Sequence, residues 1–368
     1  MRFILCFFLS MILASLAHAQ ILTTPVGGGS SKAWVGERIG LTDVQVNYNR
    51  PAVKGREGKI WGQLVPYGFT DPGFGTSKAA PWRAGADENT TISFSTDVKI
   101  NDKPLAAGKY GFFIAMGEND AELIFSKNTS SWGSYFYDPK EDVLRVKVPT
   151  SKLNESLERL TYVFSDQKDN SATLSLNWEK MRVPFTVSVD LQKTQLESMR
   201  SELRSNKGFN ADAYVEAIDY SVANNINLDE ALAWSDYAMN AVFVGQKNFK
   251  TLSARASVLN KIGRTKEADS LMKAAMPMAS MQELHQYARQ LIRMKKPAEA
   301  LTAYKLNAQK NPDNFTTSVG LVRGFSATGD YKNALKHAKI ALSKAPDKSN
   351  RDNVESMIKK LEEGKDVN

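Results

Sequence analysis

The chain has 368 residues, 24% of them charged, with 48 lysines and arginines, 40 aspartates and glutamates and a single cysteine. This length holds two ordinary cores, and one cysteine excludes both a disulfide framework and a thiolate metal site. The basic excess is confined to one half: residues 191–368 carry 27 basic against 20 acidic side chains, whereas residues 20–190 carry 20 of each.

Arg2, the apolar run from Phe3 to Leu16 and the small residues of Ala17-His18-Ala19-Gln20 form a positive n-region, an apolar h-region and a cleavage site. Residues 1–19 are therefore read as a signal peptide cut after Ala19. A membrane anchor needs about twenty apolar residues, more than this run supplies. Cys6 lies inside the run, so no lipidated cysteine is expected at the cut, and the mature chain has no thiol. No later segment is apolar enough to span a bilayer. The expected location is the periplasm or the cell exterior, where the basic balance points to an acidic peptide or anionic surface and away from nucleic acid.

Residues 20–39 form an N-terminal segment with no assigned element, and residues 40–190 read as strands. Apolar and polar residues alternate in short runs bounded by turn residues: Asp43–Tyr48, Thr91–Ser95, Val98–Ile100, Tyr110–Met116, Ala121–Ser126, Leu144–Val148 and Leu160–Phe164. The clearest pair is Ala172–Trp178 followed, after a short connection, by Val183–Val189. Nine such strands predict an antiparallel β-sandwich or barrel-like domain. Pro184 donates nothing to a ladder, so the last strand is expected at an edge or bulged there.

From Leu191 the period becomes helical. Residues 191–210 read as a helical linker, 211–346 as repeats and 347–368 as a capping helix with a tail. Gly329-Asp330-Tyr331-Lys332-Asn333-Ala334-Leu335, with Ala338, Ala341 and Pro346, is matched 34 residues earlier by Ala300-Leu301, Tyr304 and Pro312. Gly263, Ala268, Met272 and Ala275 form a further copy, and Ala231, Ser235 and Ala238 a weaker one. Small residues let two antiparallel helices approach, glycine turns the chain between them and proline ends the second. Helix pairs are expected over 211–242, 248–276, 281–311 and 315–345, each burying its apolar face against its neighbours.

This half resembles the tetratricopeptide repeat (TPR) family, although Val322 and Asp219 stand where that family prefers a small residue. The resemblance implies an all-α solenoid that holds a protein or peptide on the concave surface lined by the first helix of each pair. Its register places Lys250, Ser253, Asn260, Lys261, Gln282, His285, Arg289, Arg293, Arg323 and Ser326 there. Such a groove is basic and suits an acidic segment or a C-terminal carboxylate, with Arg289 and Arg293 offering bidentate contacts.

Residues 20–190 contain no histidine and no cysteine. That excludes a Ser-His-Asp triad, a Cys-His dyad and the usual zinc sites from the β domain, and no catalytic residue, metal or cofactor is assigned. His285 and His337 both lie in the helical repeats. A two-carboxylate hydrolase is the remaining catalytic alternative, for which adjacent Asp87 and Glu88 are a poor pair because an extended chain points them apart.

Asn47-Tyr48-Asn49-Arg50-Pro51-Ala52-Val53-Lys54-Gly55-Arg56, Ile60-Trp61-Gly62-Gln63-Leu64-Val65-Pro66-Tyr67-Gly68 and Pro81-Trp82-Arg83-Ala84-Gly85-Ala86-Asp87-Glu88-Asn89-Thr90-Thr91 mix aromatic, guanidinium and amide groups. These stretches, with Leu105–Tyr110, Ser131-Trp132-Gly133 and Trp178–Phe185, resemble the bacterial domain-of-unknown-function family 2911 over about 150 residues. Asp87 replaces that family's asparagine, and Phe69–Ala80 is an insertion able to cover a pocket. The resemblance implies export and a β-rich fold but carries no activity. Arg50, Arg56, Trp82, Arg83 and Glu88 are the candidate β-domain ligand site, either for a sugar or peptide or as a network fixing loops; Trp82 and Trp132 are the candidate stacking platforms for an envelope glycan. The reading favoured by the sequence is an exported, non-enzymatic binding or scaffolding protein.

Overall fold

The computed structural model describes residues 30–368, so the signal-peptide assignment and the cut after Ala19 lie outside the described residues. Two compact units are present, one ending at Gln195 and the other beginning at Leu196.

Among the described residues the first unit has ten strands: β1 Ser31–Ile39, β2 Thr42–Arg50, β3 Thr91–Phe94, β4 Val98–Ile100, β5 Lys103–Leu105, β6 Gly108–Met116, β7 Asp120–Ser126, β8 Asp142–Pro149, β9 Ser151–Lys168 and β10 Ser171–Ser188. They form two antiparallel sheets, ordered β1-β2-β3-β6-β7-β8 and β5-β4-β10-β9. Alternation puts Val44, Val46, Ile92, Phe112 and Leu123 of the larger sheet into one core with Leu174, Leu176, Trp178 and Val187 of the smaller. This is the expected two-sheet antiparallel arrangement.

Three expectations are corrected. The segment 20–39 is not without structure beyond Ser30: Ser31–Ile39 is a full edge strand, paired along its length with β2. Its alternating exposed and half-buried residues gave too little apolar signal to mark it. The two runs at 172–178 and 183–189 are one 18-residue strand; register shifts between Asn177 and Met181 bend it where a break was expected. Pro184 is neither at a sheet edge nor at that bulge. It lies between the last pair with β9, at Arg182, and the first with β4, at Val187, where no ladder bond is required of it.

In the second unit, α1 Leu191–Glu202, which begins in the first unit, and a short 3₁₀ turn at Asn206–Phe209 lead into four helix pairs: α2 Ala211–Asn224 with α3 Leu228–Asn240, α4 Phe249–Lys261 with α5 Thr265–Ala275, α6 Met281–Arg293 with α7 Pro297–Lys310, and α8 Phe315–Ala327 with α9 Tyr331–Ser343. A last helix, α10 Lys348–Glu362, buries Val354, Met357 and Leu361 against the fourth pair. Side chains set the boundaries. Asn248 and Ser280 close capping boxes at the starts of α4 and α6, and Gly263 and Gly329, at φ +82° and +78°, turn the chain between helices of a pair. Ala231, Ala268, Ala300 and Ala334 are fully buried at the helix contacts, as the repeat register requires. Val322 fits where a small residue was expected because Ala334, Ala338 and Ala341 share its cluster. The second unit is thus an all-α solenoid of stacked helix pairs, as the repeat register requires.

Candidate functional site

The first helices α2, α4 and α6 line a concave cleft of about 900 Å³. Six of the residues placed there by the repeat register do face it: Lys250, Ser253, Asn260, Lys261, Arg289 and Arg293. Successive turns of α4 and α6 carry them, so one helix face supplies each row. Gln282, His285, Arg323 and Ser326 do not line the cleft. Gln282 is exposed elsewhere on α6, and Ser326 is buried, its hydroxyl donating to Asp366 and accepting from the Val367 amide. Arg323 is half-buried on α8, its carbonyl accepting from the Asn368 amide.

The cleft is mixed in charge rather than uniformly basic, with Asp219, Asp269 and Glu283 among its lining residues. On its α2 side Asp219 is an exposed residue whose carboxyl pKa is raised by partial desolvation, against the pull of Lys250, and Lys250 itself is paired with Asp212 at 2.8 Å. On the α4 and α6 side, Lys261, Arg289 and Arg293 have no carboxylate within ion-pair distance among the described residues. Tyr287, Phe249, Met272 and Met294 give the wall apolar area between the charges. Sequence reasoning missed this aromatic and methionine lining, because those residues also pack the repeats.

His285 sits edge-on to the ring of Tyr304, with centroids 5.5 Å apart, and its Nδ1 is buried without a partner. Burial, then Arg289 and Arg323, lower its pKa to about 4. An unfolded histidine titrates near 6.5, so the folded form resists protonation: stability is whole above pH 6.5 and falls as pH drops towards 4. The expected loss is about 2 kcal/mol, after allowing for the part of the ring that meets solvent. Urea titrations of the parent and His285→Gln at pH 7 and pH 4.5 check this. The parent should lose more stability than the variant, and equal losses would show that His285 is charged in the fold.

In the β unit the five candidates do not converge. Arg50 donates to the Leu160 carbonyl and to Thr161 Oγ1; Arg56 donates to the carbonyls of Val53 and Ala52. Arg83 donates to the Asp87 carbonyl and lies over the Tyr135 ring, 5.1 Å from its centroid. Trp82 is half-buried, stacked on Trp178 and edge-on to Trp61, with its indole N–H on the Gly85 carbonyl. These four fasten the long loops to the sandwich. Asp87 has φ +57°, a left-handed conformation that aspartate and asparagine adopt more readily than most residues. The insertion at 69–80 closes on itself through paired Thr70 and Ala80 amides and packs Phe74 on Tyr135 and Phe136.

Glu88 alone of the five faces a cavity, of about 410 Å³, with Lys32, Trp34, Asn47, Asn49, Asn89 and the loop at 129–131. The Lys32 ammonium, 2.7 Å away, and then the Asn49 amide hold its carboxyl below the usual range. A carboxylate so stabilised is a poor general acid.

Residues 30–187, which make up most of the β unit, match the family model described as "Protein of unknown function (DUF2911)". No curated protein matches the chain. Solved structures similar to it include a tetratricopeptide repeat protein from Parabacteroides merdae, with 16% identity, 47% of this chain and 68% of that chain covered, and a TM-score of 0.31. YrrB, described as a TPR protein with an unusual peptide-binding site, has 16% identity, 47% and 87% coverage and a TM-score of 0.29. MamA has 13% identity, 42% and 88% coverage and a TM-score of 0.29.

Proposed function

We propose that this is an exported, non-enzymatic binding protein whose helical repeats hold an acidic segment of a partner protein in the concave cleft. The observation that carries the reading is the row of Lys261, Arg289 and Arg293 on the cleft wall, none paired with a carboxylate among the described residues. Guanidinium groups left open beside apolar area are suited to donate bidentate, charge-assisted hydrogen bonds to carboxylates, with the aromatic and methionine side chains covering the ligand's aliphatic parts. The paired Lys250 and the raised Asp219 at the other end disfavour a uniformly acidic ligand along the whole cleft. The acidic residues of the segment therefore belong at the α6 end.

Export rests on the N-terminal pattern. Intact mass of the protein recovered from the envelope fraction should place its first residue at Gln20. For the cleft, affinity capture from envelope extract with the mature chain should retain a partner that an Arg289→Glu, Arg293→Glu variant loses by at least tenfold, since two charge-assisted contacts become repulsive. Both side chains are exposed, so the variant keeps its fold, which circular dichroism verifies. Equal recovery by both proteins would refute the cleft assignment.

A further inference from the structure

The cavity of about 410 Å³ in the β unit is independent of the repeat cleft and contains an aromatic side chain that the loops do not use. Trp34 is 71% exposed, whereas Trp82 and Trp178 are packed into the sandwich. Register fixes what surrounds it: on β1 and β2, Trp34 stands opposite Asn47, Lys32 opposite Asn49 and Gly36 opposite Gln45, all on the outer face of the sheet. A side chain at Gly36 would start 3.9 Å from Trp34 Cζ3. The indole thus lies along the strand beside Gly36, with its ring open to solvent.

The rim is polar but has no net charge. Lys32 and Glu88 neutralise each other at 2.7 Å, Asn49 donates to Glu88, and Gln45 donates to Asn47 Oδ1 at 3.1 Å. Asn89, only 8% exposed, gives its amide N–H to the Asn128 carbonyl, while its Oδ1 has no partner. Ser130 and Ser131 add hydroxyls. A flat apolar ring bordered by amide and hydroxyl donors and acceptors, with charges already cancelled, matches a neutral ligand that has one apolar face and polar edges. A pyranose ring has that form: axial C–H groups meet the indole and equatorial hydroxyls meet the amides. A cation would find no free carboxylate here and an anion no free ammonium.

The geometry points to a binding site for a neutral oligosaccharide on the β1–β2 face, with Trp34 as stacking platform and Asn47, Asn49, Glu88 and Asn89 as hydrogen-bonding edge. This site differs from the one the motifs suggested, since neither Trp82 nor Trp132 belongs to it.

The test is a fluorescence and calorimetric titration of the mature full chain with cellohexaose and with the hexamer of N-acetylglucosamine. Binding of at least one sugar is expected, with a blue shift of indole emission. Trp34→Ala should weaken binding at least tenfold and abolish the shift, and Asn47→Ala should weaken it several-fold. Trp132→Ala, which removes another exposed indole, should bind as the parent does. Trp34 is exposed, so its variant should keep the parental melting temperature. No response to either sugar at 10 mM, unchanged affinity in Trp34→Ala, or binding at Trp34 of an extended peptide but of neither sugar would overturn the assignment. Because the repeat cleft plays no part, these outcomes are separate from partner capture by Arg289 and Arg293.

Discussion

Replacing Trp178 by alanine is expected to destabilise the β unit by about 3–5 kcal/mol. Trp178 is 1% exposed and among the largest fully buried side chains of the described residues. Its ring stacks on Trp82 at 6.1 Å and meets the edge of Trp61 at 5.8 Å, so the substitution removes apolar contact from two other indoles at once. The register shifts between Asn177 and Met181, the first of which spans Trp178, hold β10 in a bend against β9, and a bent backbone has little freedom to collapse into the void. Its Nε1 has no partner, so none of the loss comes from a broken hydrogen bond. Trp178→Phe should accordingly cost less than half as much. Urea unfolding followed by near-ultraviolet circular dichroism measures both. A phenylalanine variant as unstable as the alanine one would mean that Nε1 bonds to something buried, and the explanation by contact area alone would fail.

The same tryptophan illustrates what the sequence made legible. Trp82 and Trp178 were visible as motif residues, but a motif does not distinguish a ring that binds from a ring that packs. Their function became clear only when β10 brought Trp178 under the loop that carries Trp82. Arg50, Arg56 and Arg83 behave alike, each directed to backbone carbonyls that lie far away in sequence or within its own turn. Trp34 was not legible. It lies in a strand whose outward residues are polar and whose inward residues are only half-buried, so the alternation that marks strands was weak. The site it belongs to depends on register with β2 and on a loop more than ninety residues away.

The solenoid was more legible because its repeat is local. Ala268, Ala300 and Ala334 fixed the register of the helices, and from it Lys250, Ser253, Asn260, Lys261, Arg289 and Arg293 followed as cleft residues. Besides Gln282, which is exposed elsewhere on α6, register failed for His285, Arg323 and Ser326. They fall where α8 packs closely on the third pair and where Asp366–Asn368 bond to α8. A family pattern has no place for either contact.

That close packing sets the second large effect: Tyr304→Ala is expected to destabilise the helical unit by about 3–5 kcal/mol. Tyr304 is fully buried on α7, and its ring lies against two glycines of α8. A Cβ on Gly320 would stand 2.6 Å from its Cδ1, and one on Gly324 2.9 Å from its Cδ2, so only glycine at both places lets α8 approach. Removing the ring leaves a cavity between α7 and α8 that two rigid backbones cannot close. Tyr304→Phe is the informative partner. The phenol oxygen has no hydrogen-bond partner, and deleting an unsatisfied buried hydroxyl should be neutral or stabilise by about 1 kcal/mol. Thermal unfolding followed at 222 nm separates the cases. If phenylalanine costs as much as alanine, the hydroxyl is held by a bridging water and the pocket is polar; if alanine costs under 1 kcal/mol, α8 has no fixed seat on the third pair. With α8 seated by that ring, partner capture should survive Tyr304→Phe unchanged, because neither the hydroxyl nor α8 lines the cleft that carries Arg289 and Arg293.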